Sequence, residues 1–505
     1  MSHEHFDVIV VGAGISGIGA GYHLQANCPD RTYVILEGRE CMGGTWDLFR
    51  YPGIRSDSDM YTLGYSFKPW TSPKAIADGP AILEYLKKTA REYGVDQHIR
   101  YRHRVKTASW STREARWTVE VELEDRAIVH LACSFLHLCG GYYSYKGGYT
   151  PDFPGTERFR GRIVHPQKWT DDIEYNGRRV VVIGSGATAV TLVPEMAKEA
   201  AHVTMLQRSP TYVVSRPAED VVANWLRRWL PAKLAYAITR WKNVLLVMLF
   251  FNLSRRYPDR IRRLILADVR KQLGPDYDVK THFNPRYNPW DQRMCLVRNG
   301  DLFEAIREGR ASVVTDQIET FTEKGLKLKS GKELEADLIV TATGLELVPL
   351  CDVQLDVDGR AVQIADTLSY KGMMYSGIPN LASSFGYTNA SWTLKCDLTC
   401  AYVCRLLNHM KAHGYDICVA ERDPDVQETP WLDFTSGYVQ RAIHKFPKQG
   451  SKSPWRLHQN YLLDMLQLGL GKVDDGTMQF KRKPAEVPAI DPALRMDEQI
   501  GIVGS

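Results

Sequence analysis

The sequence has no cysteine pair at the spacing of a redox motif or of a zinc site. Its ten cysteines are scattered, and only Cys396, Cys400 and Cys404 recur at a regular interval of four residues. On a helix these three would share one face, where small buried side chains are expected more often than metal ligands. No histidine stands at ligand spacing from them. The sequence therefore predicts no metal site, and unpaired cysteines are typical of a reducing cytoplasm.

Long apolar runs and a strong net charge are also missing. The longest apolar run, residues 244–253, is far shorter than the roughly 18 residues that a membrane-spanning helix needs. The initial segment MSHEHFD has neither the basic start nor the small-residue cleavage site of a signal peptide. A net charge of +5 is slight for 505 residues and indicates no nucleic-acid partner. The length allows two or three globular domains.

What the sequence does contain near its start is FDVIVVGAGISGIGAGYHL, which predicts a strand, a tight glycine turn and a helix. Gly12 would permit the turn, Gly14 would let the backbone approach a pyrophosphate, and Gly17 would let helix and strand pack closely. The next strand, TYVILE, ends in Glu37, whose carboxylate would accept hydrogen bonds from a ribose. Together these features predict a dinucleotide site.

The same pattern recurs in RRVVVIGSGATAVTLV, where Gly184, Gly186 and Ala189 follow another strand. The next strand, HVTMLQRSP, ends in Arg208 instead of an acid. A cation there favours the 2′-phosphate of NADPH over the bare ribose of NADH; the alternative is a solvated surface arginine. Thr188 would meet phosphate at the start of the second helix. The duplication predicts an α/β protein with two Rossmann-like dinucleotide-binding units.

Two further segments bear on the domain organisation. The strand in ELEADLIVTATGLE, residues 333–346, predicts that the chain returns to the first domain, so that the second domain is an insertion in the first. Residues 224–271 contain twelve Lys or Arg and two Asp, with Trp, Leu and Ile at helical spacing. Such basic amphipathic helices either form the wall of an apolar cavity, which we favour, or lie on an anionic membrane surface. Both interpretations are compatible.

The segment FRGRIVHPQKWTD contains Phe159, Gly161, His165 and Trp169 at the spacing FxGxxxHxxxW. This is the fingerprint of Baeyer–Villiger monooxygenases, so the chain resembles the class B flavoprotein monooxygenases. The family usually has Pro or Asp after the tryptophan, whereas Thr170 stands there in this chain. Related N- and S-oxygenating flavin monooxygenases usually have tyrosine in place of the tryptophan. Longer segments, GGTWDLFRYPGIRSDSDMYTLGYSF, NPWDQR and GYTNASWTLK, resemble the ethionamide-activating branch of the family in mycobacteria.

The resemblance implies that the first unit binds FAD and the second binds NADPH. It also implies a reaction that consumes NADPH and O2 and converts small apolar ketones to esters or lactones through a C4a-peroxyflavin. The same chemistry would oxidise sulfides and thioamides. The implied parts of the chain are an FAD-binding domain (1–145 and 333–480), an NADPH-binding domain (146–215 and 280–332), a helical insertion (216–279) and a loosely ordered tail (481–505).

The resemblance also carries over the site residues. Arg293 in NPWDQR matches the active-site arginine of the family, and Asp57 would lie near the flavin ring and fix that arginine. A guanidinium suits an anionic peroxide and the oxyanion that follows it. The predicted contacts to FAD and the nicotinamide are Gly12, Gly14, Ser16, Gly17, Glu37, Gly44, Thr45, Trp46, Asp47, Leu48, Arg55, Ser56, Asp57 and Val105. The predicted contacts to the rest of NADPH are Gly184, Ser185, Gly186, Ala187, Thr188, Ala189, Val190, Arg208 and Ser209.

Alternatives remain at two levels. His165 has the ordinary pKa of a general base, but its place between the domains favours a positional role. A flavin disulfide reductase would need a cysteine pair beside the flavin, where Cys41 stands alone. A peripheral membrane protein with purely regulatory nucleotide sites would not need Asp57 and Arg293. An N- or S-oxygenating monooxygenase without ketone activity is the closest rival. We expect a cytoplasmic enzyme and leave peripheral contact with the inner face of the membrane open.

Overall fold

A computed structural model describes residues 3–432 and 434–485 of the chain. Most of the predicted tail, from residue 486 onward, lies outside the described residues. The molecule has two halves, and each contains one large sheet with associated helices. The central strands of both sheets are parallel. The predicted α/β class with two dinucleotide-binding units is confirmed.

Within residues 3–432 and 434–485, the first sheet has nine strands. Glu4–Val11 pairs in parallel with Tyr33–Leu36 on one side and with Ile128–Leu138 on the other. Ile9 and Val10 are fully buried, because both faces of this central strand are covered. In chain order the strands are Glu4–Val11, Tyr33–Leu36, Ile99–Arg100, Arg104–Ser111, Arg116–Glu122, Ile128–Leu138, Gln354–Val357, Arg360–Ala361 and Leu381–Ser383.

In the part of the chain that the structure describes, the second sheet has five strands, all parallel. Leu338–Thr341 lies inside it, between Arg179–Ile183 and Arg162–Val164. The predicted domain boundary assigns residues 333–480 to the first domain. For this strand that boundary is wrong, because the strand belongs to the second sheet. Its apolar pattern predicts burial but does not identify the strand's partners. The chain returns to the first sheet only with Gln354–Val357. In spatial order the five strands are Ala311–Thr315, His202–Gln207, Arg179–Ile183, Leu338–Thr341 and Arg162–Val164.

Smaller sheets surround the two centres. A three-stranded antiparallel sheet covers part of the second domain, and four two-stranded ribbons lie elsewhere in the described residues. The strands of the three-stranded sheet are Ile318–Thr322, Gly325–Leu328 and Glu333–Glu335. The ribbons pair Val213–Arg216 with Cys295–Arg298, Ser369–Tyr370 with Met374–Tyr375, Ile417–Ala420 with Met478–Lys481, and Glu428–Pro430 with Lys448–Gly450.

The helices include one after each glycine turn. We call Ile15–Asn27 the first glycine helix and Ala187–Met196 the second glycine helix. The other α-helices are Thr45–Leu48, Met60–Leu63, Gly79–Glu92, Val221–Trp229, Ala232–Arg256, Pro258–Leu273, Val279–His282, Asp301–Arg307, Trp392–His413, Gly437–Gln440 and Tyr461–Asp464. Met465–Leu470 continues the last of these as a π-helix.

The predicted helical insertion is formed by Val221–Trp229, Ala232–Arg256 and Pro258–Leu273. By length and composition, Ala232–Arg256 is the one helix among the described residues that could cross a membrane. The apolar run of residues 244–253 is by itself too short to predict such a helix. The helix extends well beyond that run. One face of the helix is anchored to the first domain, because Arg240 Nη1 donates to the carbonyl oxygens of Tyr61 and Gly64 at 2.8 Å each. The buried side chains of the helix, from Ala235 to Ser254, form this face, whereas many of its large apolar side chains are exposed.

Candidate active site

The first glycine turn leaves no room for side chains. At Gly12, whose φ is +100°, an added Cβ would lie 2.7 Å from the Cα of Gly140. At Gly17 it would lie 1.8 Å from the carbonyl oxygen of Gly12. The first glycine helix therefore begins tightly against the strand before it. The first N–H groups of a helix have no partner within it, so this terminus suits a pyrophosphate.

A second glycine segment crosses this turn. An added Cβ on Gly14 would lie 3.5 Å from the Cα of Gly44, and Gly44 itself has a φ of +55°. The single helical turn Thr45–Leu48 follows directly. Trp46 packs against the core of the first domain, whereas Leu48 packs against the core of the second. The bare backbone of these two closely approaching segments fits a flavin dinucleotide.

Glu37 lies directly after the second strand of the first sheet and is almost fully buried. Its Oε2 accepts a hydrogen bond from Ala13 N at 2.7 Å, and its Oε1 accepts one from Arg39 N at 3.0 Å. Burial raises the pKa of this carboxyl group above its ordinary value. The carbonyl oxygen of Glu37 accepts from His103 N at 2.9 Å, just before the strand that contains Val105. The positions predicted for ribose and adenine contacts are therefore neighbours.

The carboxylate of Asp47 contacts side chains of nearby residues in the sequence. Arg39 Nη2 lies 2.6 Å from Asp47 Oδ2, and Cys41 Sγ donates to the same oxygen at 3.0 Å. Arg50 Nη2 lies 3.4 Å from the other oxygen. Because the side chain is engaged in this way, a cofactor contact at this position would come from its backbone.

The hydroxyl of Ser16 contacts a helix from the far end of the chain. Trp392 Nε1 donates to Ser16 Oγ at 2.8 Å, and Cys396 Sγ lies 3.3 Å from the same oxygen. The three regularly spaced cysteines are buried on this helix, Trp392–His413. The described residues contain no group of three or more side chains able to hold a metal ion. Sequence reasoning missed the tryptophan, although it stands in GYTNASWTLK, one of the segments that carried the resemblance.

The second glycine turn repeats the close approach of the first. Gly184 has a φ of +133°, and an added Cβ would lie 2.3 Å from the carbonyl oxygen of Ala342. At Gly186 an added Cβ would meet nothing within 4 Å, so space is open at the start of the second glycine helix. Ala189 and Val190 are fully buried and pack this helix on its sheet. The open space at a helix N-terminus fits a second pyrophosphate.

The residues predicted for the NADPH phosphate lie beside that turn. Ser185 Oγ donates to the carbonyl oxygen of Ser209 at 3.1 Å, which joins the turn to the loop after His202–Gln207. Arg208 and Ser209 are exposed, and the neighbouring Ala187–Thr188 pair at the helix start is half-buried. An exposed guanidinium at this strand end is accessible to a 2′-phosphate.

Arg293 and Asp57 are brought together by the fold. Arg293 Nη2 lies 2.6 Å from Asp57 Oδ2. The arginine stands just before the strand Cys295–Arg298, and the aspartate stands just before the helix Met60–Leu63. The attraction of the Asp57 carboxylate raises the pKa of Arg293 above its usual value, so the guanidinium keeps its charge at all working pH values. The pairing expected from the resemblance is therefore present in the geometry.

Aromatic side chains lie beside Arg293. Tyr142, Tyr438 and Phe385 line a small cleft together with Arg293. Burial raises the pKa of Tyr142 and Tyr438, and it raises the pKa of Tyr143 to about 12. Their hydroxyl groups therefore stay protonated. No sequence motif indicates these tyrosines, because they come from segments outside the glycine motifs.

Arg55 and Ser56, predicted near the nicotinamide, lie at the contact between the two domains. Arg55 is buried and forms an ion pair with Asp301, the first residue of the helix Asp301–Arg307 in the second domain. Ser56 N donates to the carbonyl oxygen of Ala77 at 2.9 Å. Its buried hydroxyl has no hydrogen-bond partner among the described residues, so it is available to a ligand. Sequence reasoning missed Asp301.

A cavity of about 590 Å³ adjoins the ion pair. Asp57 and Arg293 line it together with apolar side chains of the helical insertion, including Val221, Leu246 and Phe250. This volume lies in the usual range of small-molecule sites, roughly 300–1,000 Å³. The cavity supports the interpretation of the insertion as the wall of an apolar pocket.

His165 braces the connection between the domains. Its Nε2 lies 3.1 Å from the carbonyl oxygen of Gly344, and its Nδ1 accepts from Gln167 N at 3.2 Å. The ring also fills the space beside Gly148, where an added Cβ would come within 2.0 Å of it. Gln167 Nε2 donates to the carbonyl oxygen of Ser144 at 2.6 Å. Burial lowers the pKa of His165, so the ring is neutral near pH 7.

Two chain segments, residues 142–149 and 341–348, cross between the domains. Backbone hydrogen bonds join them to each other. Ser144 N donates to the carbonyl oxygen of Glu346 at 2.9 Å, and Val348 N donates to that of Tyr142 at 3.0 Å. His165 contacts both segments. With both ring nitrogens held by backbone groups, the geometry favours the positional interpretation over the general base.

The fold, with its two glycine turns, agrees with comparisons to known families. The flavin-binding monooxygenase-like family matches residues 73–354, and an NAD(P)-binding Rossmann-like domain matches residues 10–73. The chain belongs to the flavin-binding monooxygenase family and is an enzyme of that class. The resemblance to class B flavoprotein monooxygenases is confirmed.

Particular relatives span nearly the whole chain. The FAD-containing monooxygenase EthA of Mycobacterium tuberculosis is 57% identical over 96% of this chain and 99% of its own length. The probable FAD-binding monooxygenase AlmA of Acinetobacter baylyi is 47% identical, with coverages of 95% and 97%. The structure of an oxidised steroid monooxygenase bound to NADP shares the fold, with a TM-score of 0.75 at 23% identity and coverages of 95% and 100%. The prediction of FAD and NADPH as cofactors agrees with these proteins.

Proposed function

We propose that this enzyme is a Baeyer–Villiger monooxygenase that converts ketones to esters or lactones. The observation that carries the proposal is the Arg293–Asp57 ion pair in the wall of an apolar cavity. In the reaction, NADPH supplies two electrons and O2 supplies two oxygen atoms. One atom is inserted between the carbonyl carbon and a neighbouring carbon, and the other leaves as water. Overall, NADPH and one proton are consumed, and NADP⁺ and water are released together with the ester or lactone.

The chain's own residues bind the cofactors and position the charges. FAD, when bound, supplies the activated dioxygen. The bare backbone at Gly12, Gly14 and Gly44 would hold its pyrophosphate, and Glu37 would hold its ribose. The exposed Arg208 would hold the 2′-phosphate of NADPH.

Arg293 would stabilise negative charge on the reacting oxygen and on the carbonyl oxygen as it becomes an oxyanion. Asp57 restricts the orientation of the guanidinium, so the donors are placed before the substrate arrives. The apolar side chains of the cavity exclude water, which strengthens this electrostatic effect.

The same site would oxidise sulfur in sulfides and thioamides, because sulfur is a soft nucleophile that fits an apolar cavity. The rival function is an N- or S-oxygenating monooxygenase without ketone activity. Trp169 and Arg293 favour the Baeyer–Villiger function.

The test is to incubate the FAD-loaded enzyme with NADPH, oxygen-18 gas and a panel of linear, cyclic and aryl ketones, a sulfide and a thioamide. Mass spectrometry should find one labelled oxygen in an ester or lactone from at least one ketone, and a labelled sulfoxide. Labelled sulfoxide without any ester would support the rival function instead.

Peripheral contact with the inner face of the cell membrane belongs to the same proposal, for an enzyme that is otherwise cytoplasmic. It is supported by the basic helical insertion and by the exposed apolar side chains of Ala232–Arg256. Washed membranes prepared at low salt should retain the enzyme, and high salt should release part of it. Absence of the enzyme from low-salt membranes would contradict this part.

A further inference from the structure

The helical insertion exposes an unusually apolar surface. Val221, Trp229 and Leu470 are 76%, 74% and 76% exposed, and Trp225 and Leu249 are 58% and 54% exposed. A soluble protein rarely leaves so many large apolar side chains in one region in contact with water. We call the exposed apolar side chains of Val221–Trp229, Ala232–Arg256 and Met465–Leu470 the apolar face.

The apolar face is continuous across separate segments of the chain. Trp241, on the helix Ala232–Arg256, contacts Tyr461 with ring centroids 5.9 Å apart. Tyr461 begins the helix that runs directly into Met465–Leu470. The two parts are therefore joined at this aromatic contact.

Some side chains of the apolar face also line the catalytic cavity. Val221, Val222 and Leu246 are exposed at the surface, and they line the same cavity as Arg293 and Asp57. The cavity therefore opens beside the apolar face. A substrate that enters at this side passes over apolar side chains before it reaches the charged pair.

The charge around this face indicates what covers it. Residues 221–273 contain twelve Lys or Arg and two Asp, with no Glu. Arg228, Lys233 and Arg256 are exposed. A second copy of the chain would bring two basic surfaces together, whereas an anionic bilayer complements them. Tryptophan is also the side chain that most favours the boundary between lipid and water.

On the basis of the proposed function, we propose that the apolar face docks on an anionic lipid bilayer and that bilayer-dissolved ketones enter the cavity from it. The substrate class is thus long-chain or polycyclic apolar ketones that partition into lipid. Docking brings the cavity opening to the phase in which such ketones are concentrated. A water-soluble ketone would reach the same cavity without docking.

The experiment compares the FAD-loaded wild type with the triple variant W225S/W229S/L249S. None of these three side chains lines the cavity. I128S is the matched control, since Ile128 is 48% exposed on the first sheet, outside the apolar face. Two measurements are made with phosphatidylcholine vesicles, with and without phosphatidylglycerol: co-sedimentation of the enzyme, and ester formation from a long-chain methyl ketone dissolved in the vesicles. Ester formation from butanone in buffer is measured alongside.

The wild type and I128S should co-sediment with the anionic vesicles, and the triple variant should bind them at least about tenfold more weakly. Its kcat/KM for the vesicle ketone should fall by about the same factor, while its rate with butanone stays unchanged. An equal loss with both ketones, or unchanged vesicle binding, would overturn the proposal. A change in oligomeric size with vesicle binding intact would identify a second copy as the occupant, and this too would overturn it.

The two proposals fail in distinguishable ways. If the wild type makes no ester from either ketone, the proposed reaction is wrong. The proposed entry of ketones from the bilayer is then wrong as well. In that case vesicle binding by the wild type and the triple variant still decides whether the apolar face docks on lipid.

Discussion

Arg293 Nη2 lies 2.6 Å from Asp57 Oδ2, although the two residues belong to loops from different halves of the chain. Neither loop is part of a glycine turn. The ion pair therefore depends on how the two domains sit against each other, and so does the position of the positive charge in the cavity. Domain geometry and catalytic geometry are coupled at this one contact.

Asp57→Asn keeps the volume of the side chain and removes its charge. We expect kcat for ester formation to fall about tenfold or more, because a hydrogen bond to a charged group contributes roughly 1.5–3 kcal/mol and here it orients Arg293. The double variant with Arg293→Ala should be no slower than Arg293→Ala alone, since both changes disrupt one unit. Fully additive losses in steady-state kinetics would show that Asp57 acts independently of the arginine.

Arg208→Ala tests the choice of nicotinamide cofactor. The ratio of kcat/KM with NADPH to that with NADH should fall about tenfold to a hundredfold, because the charge facing the 2′-phosphate is lost. Arg178→Ala, another exposed arginine of the second domain, is the control and should leave the ratio unchanged. An unchanged ratio in Arg208→Ala would mean that Arg208 is an ordinary surface arginine.

His165→Ala should reduce the amount of ester formed per NADPH consumed without moving the pH profile of kcat between about pH 6 and 9. The reason is that the ring is held by backbone groups and burial keeps its folded-state pKa below the ordinary value of 6.5. At His165 the folded protein therefore binds fewer protons than the unfolded chain does. For this reason the free energy of unfolding should decrease as the pH drops below about 6.5. A clear shift of the kcat profile in the variant would restore the general-base interpretation.

The buried pair Lys395–Asp464 tests how the cavity wall is supported. Lys395 Nζ lies 2.9 Å from Asp464 Oδ2, and the hydroxyl of Tyr387, which lines the cavity, donates to the same oxygen at 2.6 Å. Asp464→Ala should lower the free energy of unfolding by about 3–5 kcal/mol, because it leaves a buried ammonium without its partner. The variant Lys395→Met/Asp464→Leu should recover most of the loss in urea denaturation. A loss below about 1 kcal/mol in Asp464→Ala would indicate that water reaches the lysine.

The glycine turns were predictable because their requirements are local. Gly12 and Gly184 both adopt positive φ angles and both approach another backbone segment closely, so the residue type itself reports the geometry. The ribose and phosphate contacts of Glu37 and Arg208 were predictable because each residue directly follows the second strand of its glycine motif. The catalytic pair was predictable only through the family resemblance, since no local pattern connects Asp57 with Arg293.

What the sequence missed depends on contacts between distant segments. The hydrogen bond from Trp392 to Ser16 and the ion pair between Arg55 and Asp301 join parts of the chain that no periodicity relates. The strand Leu338–Thr341 was assigned to the wrong sheet for the same reason. An apolar strand specifies burial, and its partner is set by the tertiary fold.

The role of Arg293 is tested most directly by the rate at which the variant Arg293→Ala forms ester from a ketone that the wild type converts. The purified variant should retain bound FAD, because Arg293 belongs to neither glycine turn. Its rate of ester formation should fall by about a hundredfold or more, since a preorganised donor to the developing oxyanion is removed. Ester formation at the wild-type rate in the FAD-loaded variant would show that Arg293 does not stabilise the reacting oxygen.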